Sequence, residues 1–113
     1  MTSREMALEI AKALSDKKAR DITLINISEK SSFADYFVNA TAGNERQLGT
    51  LANEAEDKMA EMGFIPKNSE GRPETGWILV DCGDVIVNIF TQEVRERYSL
   101  DKIWSDCEIE NVE

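Results

Sequence analysis

The chain has 113 residues, 42% of them hydrophobic, and carries 13 Lys plus Arg against 22 Asp plus Glu, a formal net charge of −9. That length suits one domain around one core. No apolar run approaches the roughly 20 residues of a membrane span, and the acidic balance argues against nucleic-acid binding, which depends on basic side chains neutralising phosphates.

An acidic surface suits a basic partner, whose approach it steers; equally, it can simply keep a small protein in solution. The N-terminal stretch Met1 to Ile10 has neither an apolar block nor an Arg-rich presequence, so neither export nor organelle import is expected, and the cytoplasm is the expected location. Cys82 and Cys107 make no disulfide framework and read as reduced thiols. Histidine is absent. That removes the Ser-His and Cys-His catalytic pairs and the commonest zinc ligand together, and no metal or cofactor is expected.

In chain order, Ser3 is placed to cap a first helix on which Met6, Ala7, Ile10, Ala11 and Leu14 recur at helical spacing. After a turn near Arg20-Asp21, the β-branched run Ile22 to Ile27 predicts a strand, and Asp35 to Thr41 a second beside it. Asn44 is the expected cap of a long second helix. Its apolar residues Leu48, Leu51, Ala52, Ala55, Met59 and Met62 share one face, and Gly63 can end it. Phe64-Ile65-Pro66 suggests a short return strand, and residues 67 to 76 an exposed loop.

Trp77-Ile-Leu-Val-Asp81 and Val85 to Phe90, joined by Cys82-Gly83-Asp84, predict a β-hairpin. Alternation turns Trp77, Leu79 and Asp81 to one face, and Ile78 and Val80 to the other. Thr91 is the expected cap of a third, polar helix, after which Leu100, Ile103 and Trp104 should dock on the sheet edge. Residues 1–104 read as a single domain, and 105–113 as an acidic, mobile tail. The fold class is therefore α/β, a mixed sheet flanked by helices.

Candidate chemistry is sparse. Asp81 and Asp84 flank the hairpin turn, where a carboxylate pair either holds a divalent metal or forms the turn. Strand carboxylates in a small α/β domain also suggest a nucleotidyltransferase, but that chemistry needs a Gly-Ser loop and a second strand carboxylate two residues on. Position 86 is Ile, and no Gly-Ser pair occurs. Arg46 opposes the dipole of its helix, so it either pairs internally, with Asp35 or another strand carboxylate, or meets a partner. Cys82 has no His to activate it. Trp77 reads equally as core and as interface, since Trp is common in both and an Asp shares its strand face.

A set of residues spread over most of the chain has a further meaning. It begins with Asp21-Ile22, Ser31-Ser32, Ala34-Asp35-Tyr36-Phe37-Val38 and Arg46-Gln47. It continues with Glu70-Gly71, Trp77 and Asp81-x-Gly83-Asp84-Val85-Ile86-Val87, then Phe90, Glu93, Arg95, Tyr98, Leu100 and Trp104. On these residues 21 to 104 resemble the ribosomal silencing factor family, also called Iojap-like. Two positions depart from it: Asn88 stands where the family usually has His, and Ala42-Gly43-Asn44 replaces the usual Gly-x-Ser.

The resemblance implies a nucleotidyltransferase-like core without catalytic residues. It implies binding to ribosomal protein fourteen of the large subunit, obstruction of subunit joining and lowered translation when nutrients are scarce. Organellar relatives help large-subunit assembly, which is the alternative role, and a homodimer is implied for the free protein. The docking surface is expected at Glu70, Gly71, Trp77, Leu79, Asp81, Gly83 and Asp84. Trp77 would be its apolar anchor, with Leu79 beside it, and the acidic residues would face Lys or Arg on the partner.

Overall fold

A computed structural model describes residues 2–64, 68–98 and 100–112. The first helix, α1 (Ser3–Asp16), is capped by Thr2 and not by the expected Ser3. Thr2 Oγ1 accepts from the Glu5 N–H (3.1 Å) while the Glu5 carboxylate accepts from the Thr2 N–H (2.9 Å). Such a box needs an acid three residues after the cap, which Thr2 has in Glu5 and Ser3, followed at that distance by Met6, lacks. The Thr2 N–H first, and then the Thr2 side chain, favour the ionised acid and lower the Glu5 pKa.

Strands β1 (Arg20–Asn26) and β2 (Tyr36–Ala42) follow, each displaced slightly from its predicted span. The second helix, α2 (Glu45–Glu61), is capped by Asn44 as expected. It ends in a Schellman motif: the Phe64 N–H reaches Met59 O, the Gly63 N–H reaches Ala60 O, and Gly63 sits at φ +89°.

The return strand suggested over Phe64–Pro66 lies, Phe64 apart, outside the described residues. The expected loop that follows contains a short strand, β3 (Asn68–Glu70), which satisfies the free edge of β4 (Trp77–Asp81), and then a single 3₁₀ turn (Pro73–Thr75). β4 and β5 (Val85–Thr91) form the predicted hairpin. Thr91 caps α3 (Gln92–Arg97), and α4 (Leu100–Ile103) leads into β6 (Glu108–Val112).

The sheet order is β3-β4-β5-β2-β1-β6; β2 and β5 run parallel and every other pairing is antiparallel. Helices α1 and α2 cover one face. Met6, Ile10, Leu14, Leu48, Leu51 and Met59 pack there on Ile22, Leu24, Val38, Val80, Val87 and Ile89. The opposite face is only partly covered, by α3 and the segment after it, around a smaller cluster of Ile25, Ile27, Ala34 and Ile86. Helices thus lie on both faces.

The C-terminal residues correct two expectations. Trp104 packs edge-on against Phe37 (ring centroids 5.0 Å apart) on the partly covered face, whereas Ile103 is 58% exposed; the Leu100 side chain lies outside what is described. The acidic tail is not free. Residues 108–112 pair with β1 from Ile22↔Val112 to Asn26↔Glu108, and Val112 reaches the main core. Its charge is met locally, Glu110 by Arg4 and Asp106 by Lys30, each at 2.7 Å. Five ladder pairs outweigh the solubility of a polar strand; the exposed ion pairs add little.

Deleting residues 105–113 should therefore lower the unfolding free energy by roughly 1–3 kcal/mol, from lost cross-strand pairs and the uncovered Val112 contact. Urea denaturation followed by circular dichroism measures it. An unchanged midpoint would mean that the segment behaves as a free tail.

Candidate docking surface

Alternation along β4 places Trp77, Leu79 and Asp81 half-buried on the partly covered face, and sends Ile78 and Val80 into the core. Each residue has a same-face neighbour across the sheet: Trp77 opposite Phe90, Leu79 opposite Asn88, Asp81 opposite Ile86. One register further, Asn88 lies opposite Asn39 and Phe90 opposite Thr41. A row of aromatic and polar groups therefore crosses the middle of this face.

Three members of the row are joined by hydrogen bonds. Trp77 Nε1–H donates to Asn88 Oδ1 (3.2 Å), and Asn88 Nδ2 donates to Asn39 Oδ1 (3.1 Å). Asn39 and Asn88 are both buried, and a buried amide is tolerated only when it is partnered. The indole edge is thus anchored while its ring lies against Phe90 (5.3 Å) and Tyr98 (6.4 Å). Trp77 is neither wholly core nor wholly surface.

Around it opens a cleft of about 360 Å³ lined by Glu70, Gly71, Thr75, Trp77, Leu79, Val94 and Tyr98. Gly71 is required there by the backbone. Its φ is +95°, and a Cβ would lie 2.2 Å from the Trp77 carbonyl oxygen, so the loop can approach β4 only without a side chain. The Thr75 hydroxyl holds the other end of the loop, donating to Arg72 O (2.7 Å).

Helix α3 forms the far wall. It is clamped by Arg95, buried among polar groups, whose Nη1 donates to Asp21 O (2.7 Å) and Thr41 Oγ1 (2.8 Å). Asp21 sits at φ +49° in an irregularity of β1, which brings its carbonyl within reach of the guanidinium.

The expected docking residues divide into two groups. Glu70, Gly71, Trp77 and Leu79 line the cleft; Asp81, Gly83 and Asp84 lie at the other end of β4, with Asp81 about 13 Å along the strand from Trp77 and about 7 Å from Leu79 at ~3.3 Å per residue. There Asp81 Oδ1 accepts from the Gly83 N–H (2.9 Å), closing the turn, and Asp84 O accepts from the Asp35 and Tyr36 N–H groups (2.8 and 3.2 Å). The Asp81 contact is the turn-forming role of an Asx residue; the Asp84 contacts are main-chain bonds to the start of β2. Among the described residues, no group of three or more His, Cys, Asp or Glu is arranged to hold a metal ion.

Three further expectations meet the coordinates. The internal ion pair considered for Arg46 is not formed: among the described residues this exposed arginine has no ion pair, with Asp35 or any other acid. Its neighbour Gln47 is the structural member of the pair, donating to the Lys17 and Lys18 carbonyls (3.2 Å each) and so fastening α2 to the turn after α1. The Cys82 thiol is buried, and burial first, then the charges of Asp81 and Glu56, push its pKa up to about 12, far from a nucleophilic thiolate.

Sequence reasoning left Asn88 and Tyr98 out of the docking set. A polar residue inside the run Val85 to Phe90 was the available signal for Asn88. For Tyr98 it was the four-residue spacing from Val94, which puts both on one helix face.

A half-covered mixed sheet with an aromatic cleft on its open side defines a small α/β domain. A family described as "Ribosomal silencing factor during starvation" matches residues 1–113. A Bacillus subtilis protein named Ribosomal silencing factor RsfS is 34% identical over 113 residues, covering 100% of this chain and 96% of its own. One of the same name from Zymomonas mobilis is 38% identical over 102 residues, covering 88% and 76%. The crystal structure of a Chromobacterium violaceum protein superposes with a TM-score of 0.89 at 33% identity, covering 93% of this chain and 88% of that one. The chain belongs to the ribosomal silencing factor family. The relatives cited are named as silencing factors, and no helix among the described residues is long and apolar enough to cross a membrane.

Replacing Asn88 with Leu should strand the Trp77 indole N–H and the Asn39 amide, lowering stability by about 1–3 kcal/mol. Asn88→His, whose ring nitrogen can accept from the indole, should recover most of the loss. Urea denaturation of both variants measures it; equal destabilisation would show that the indole bond contributes nothing.

Proposed function

We propose that this chain silences translation by docking on ribosomal protein fourteen of the large subunit, through the Trp77 cleft, so that the small subunit cannot join. The supporting observation is the cleft itself. A Trp held by its edge, half-exposed and flanked by Leu79 and Tyr98, has the composition of an interface hot spot. Glu70 lies in the same cleft, and Asp81 and Asp84 extend an acidic margin along the hairpin.

Steric exclusion demands no chemistry of the silencer, only occupancy of a surface that another body needs. A net charge of −9 favours a basic ribosomal protein and disfavours stray contact with the RNA around it. Free copies self-associate in this reading, and a homodimer that used the cleft would compete with docking. The protein acts in the cytoplasm, where subunits meet.

Co-sedimentation of the purified protein with isolated large subunits tests the reading, with small subunits as control. We expect binding to large subunits only. Trp77→Ala should stay folded by circular dichroism and bind at least about 2 kcal/mol more weakly, roughly thirtyfold. Equal binding to both subunits, or undiminished binding by the folded variant, would overturn it. Nucleotide with Mg²⁺ should leave the melting temperature unchanged, since only a ligand of the native state raises it.

A further inference from the structure

We propose that the outer edge of β6 is a second docking surface, which takes a basic, extended segment of a partner protein as an added strand antiparallel to β6. It lies well away from the Trp77 cleft. Strands β5, β2 and β1 stand between β4 and β6, which puts the two about 19 Å apart at ~4.8 Å per strand.

The phase of the ladders fixes which backbone groups face outward. The Ile27 N–H donates to Asp35 O (2.9 Å), so Thr23, Ile25 and Ile27 turn their backbone groups toward β2. Ile22, Leu24 and Asn26 then turn theirs toward β6, where they meet Val112, Glu110 and Glu108. Ile109 and Asn111 are left presenting N–H and C=O on the open side, and among the described residues no hydrogen bond engages them. Natural edges are blunted by shortness, Lys, Pro or a bulge. At the other end of the sheet β3 has only three residues. β6 has five, without Lys or Pro, and its register against β1 is unbroken.

The charges select the occupant. Pairing with a second copy over all five residues sets Glu110 against Glu110 at a non-hydrogen-bonded position, where side chains are closest and like charges repel. A basic segment meets the opposite situation. Residues 105–113 include Asp106, Glu108, Glu110 and Glu113 and no Lys or Arg. Arg4 holds Glu110 (2.7 Å) and is attracted by Glu108 at longer range, but Glu108 itself forms no salt bridge among the described residues.

The two sides of the edge differ, by alternation along the strand. Glu108 and Glu110 lie on the side of α1, with Val112, which reaches the main core. Ile109, 40% exposed, and Asn111 lie on the other side, bordering a depression of about 600 Å³ whose lining includes Lys102. That side suits a β-branched side chain and repels a basic one. The segment that fits therefore alternates Lys or Arg with β-branched residues, its main chain supplying affinity and its side chains the selection.

The test follows amide hydrogen exchange of the intact chain by NMR as acetyl-Lys-Val-Lys-Val-Lys-Val-Lys-amide is added. One control peptide has Glu in place of Lys. A second keeps the charge but carries N-methylvaline, which removes the N–H groups that would face Ile109 and Asn111. We expect exchange at Ile109 and Asn111 to slow about elevenfold at roughly ten times the dissociation constant, because protection grows as one plus that ratio. Neither control should slow it. Glu108→Lys, at an exposed position, should stay folded and weaken the response about two- to fivefold.

Unchanged exchange at millimolar Lys peptide would overturn the proposal. Equal slowing by the N-methylated peptide would also overturn it, since charge attraction without strand pairing would then suffice. Slowing that follows protein concentration alone would give the edge to a second copy instead. Faster exchange in β1 would mean that the peptide displaces β6, which contradicts addition at its outer edge.

Discussion

The parallel pairing of β2 with β5 is the constraint on which the rest of the structure depends. It joins two antiparallel halves, β6-β1-β2 and β5-β4-β3, with Tyr36 opposite Val85 and Ala42 opposite Thr91. Parallel neighbours cannot be linked by a tight turn, so the chain must cross over between them, and α2 makes that crossing while covering the aliphatic face. Side chains alternate with a period of two. A slip of one residue would drive Asn39 beneath the helices and expose Val38. The register therefore decides at once where the core lies and which residues make up the half-covered face with the Trp77 cleft.

The two faces differ in chemistry as they differ in cover. Under α1 and α2 the sheet presents aliphatic side chains in ordinary close packing. The other face combines the Ile25, Ile27, Ala34 and Ile86 cluster with Asn39, Thr41, Asn88 and Arg95, buried polar groups that bond to one another, to Trp77 and to backbone. Such a network is costly when broken and stiff when complete. A protein that works by occupying a surface gains from that stiffness, since a rigid anchor loses little freedom on docking.

Much of the fold was legible because its elements obey local rules. Helix α2 carried its cap, its apolar face and its terminal glycine in plain order, and the hairpin was marked by two apolar runs around Gly83. The misreadings arose where a distant partner overrides local character. Residues 108–112 are polar enough to be free, yet β1 needs a neighbour and takes them. The stretch after Lys67 reads as loop, but the open edge of β4 recruits Asn68–Glu70. Of the expected docking residues, Trp77 and Leu79 could be placed on one face by alternation alone. The separation of Asp81, Gly83 and Asp84 from the cleft follows from strand length. The pairing of Asn88 with Asn39, 49 residues away, could not be read from any local pattern.

The most direct measurement is site-specific photo-cross-linking to purified large subunits. One photoreactive residue replaces Thr75 at the rim of the cleft; another replaces Glu54 on α2, the helix over the opposite face. The expected result is a cross-link from position 75 to ribosomal protein fourteen and none from position 54. Cross-linking to that protein from position 54, with position 75 silent, would contradict docking through the Trp77 face.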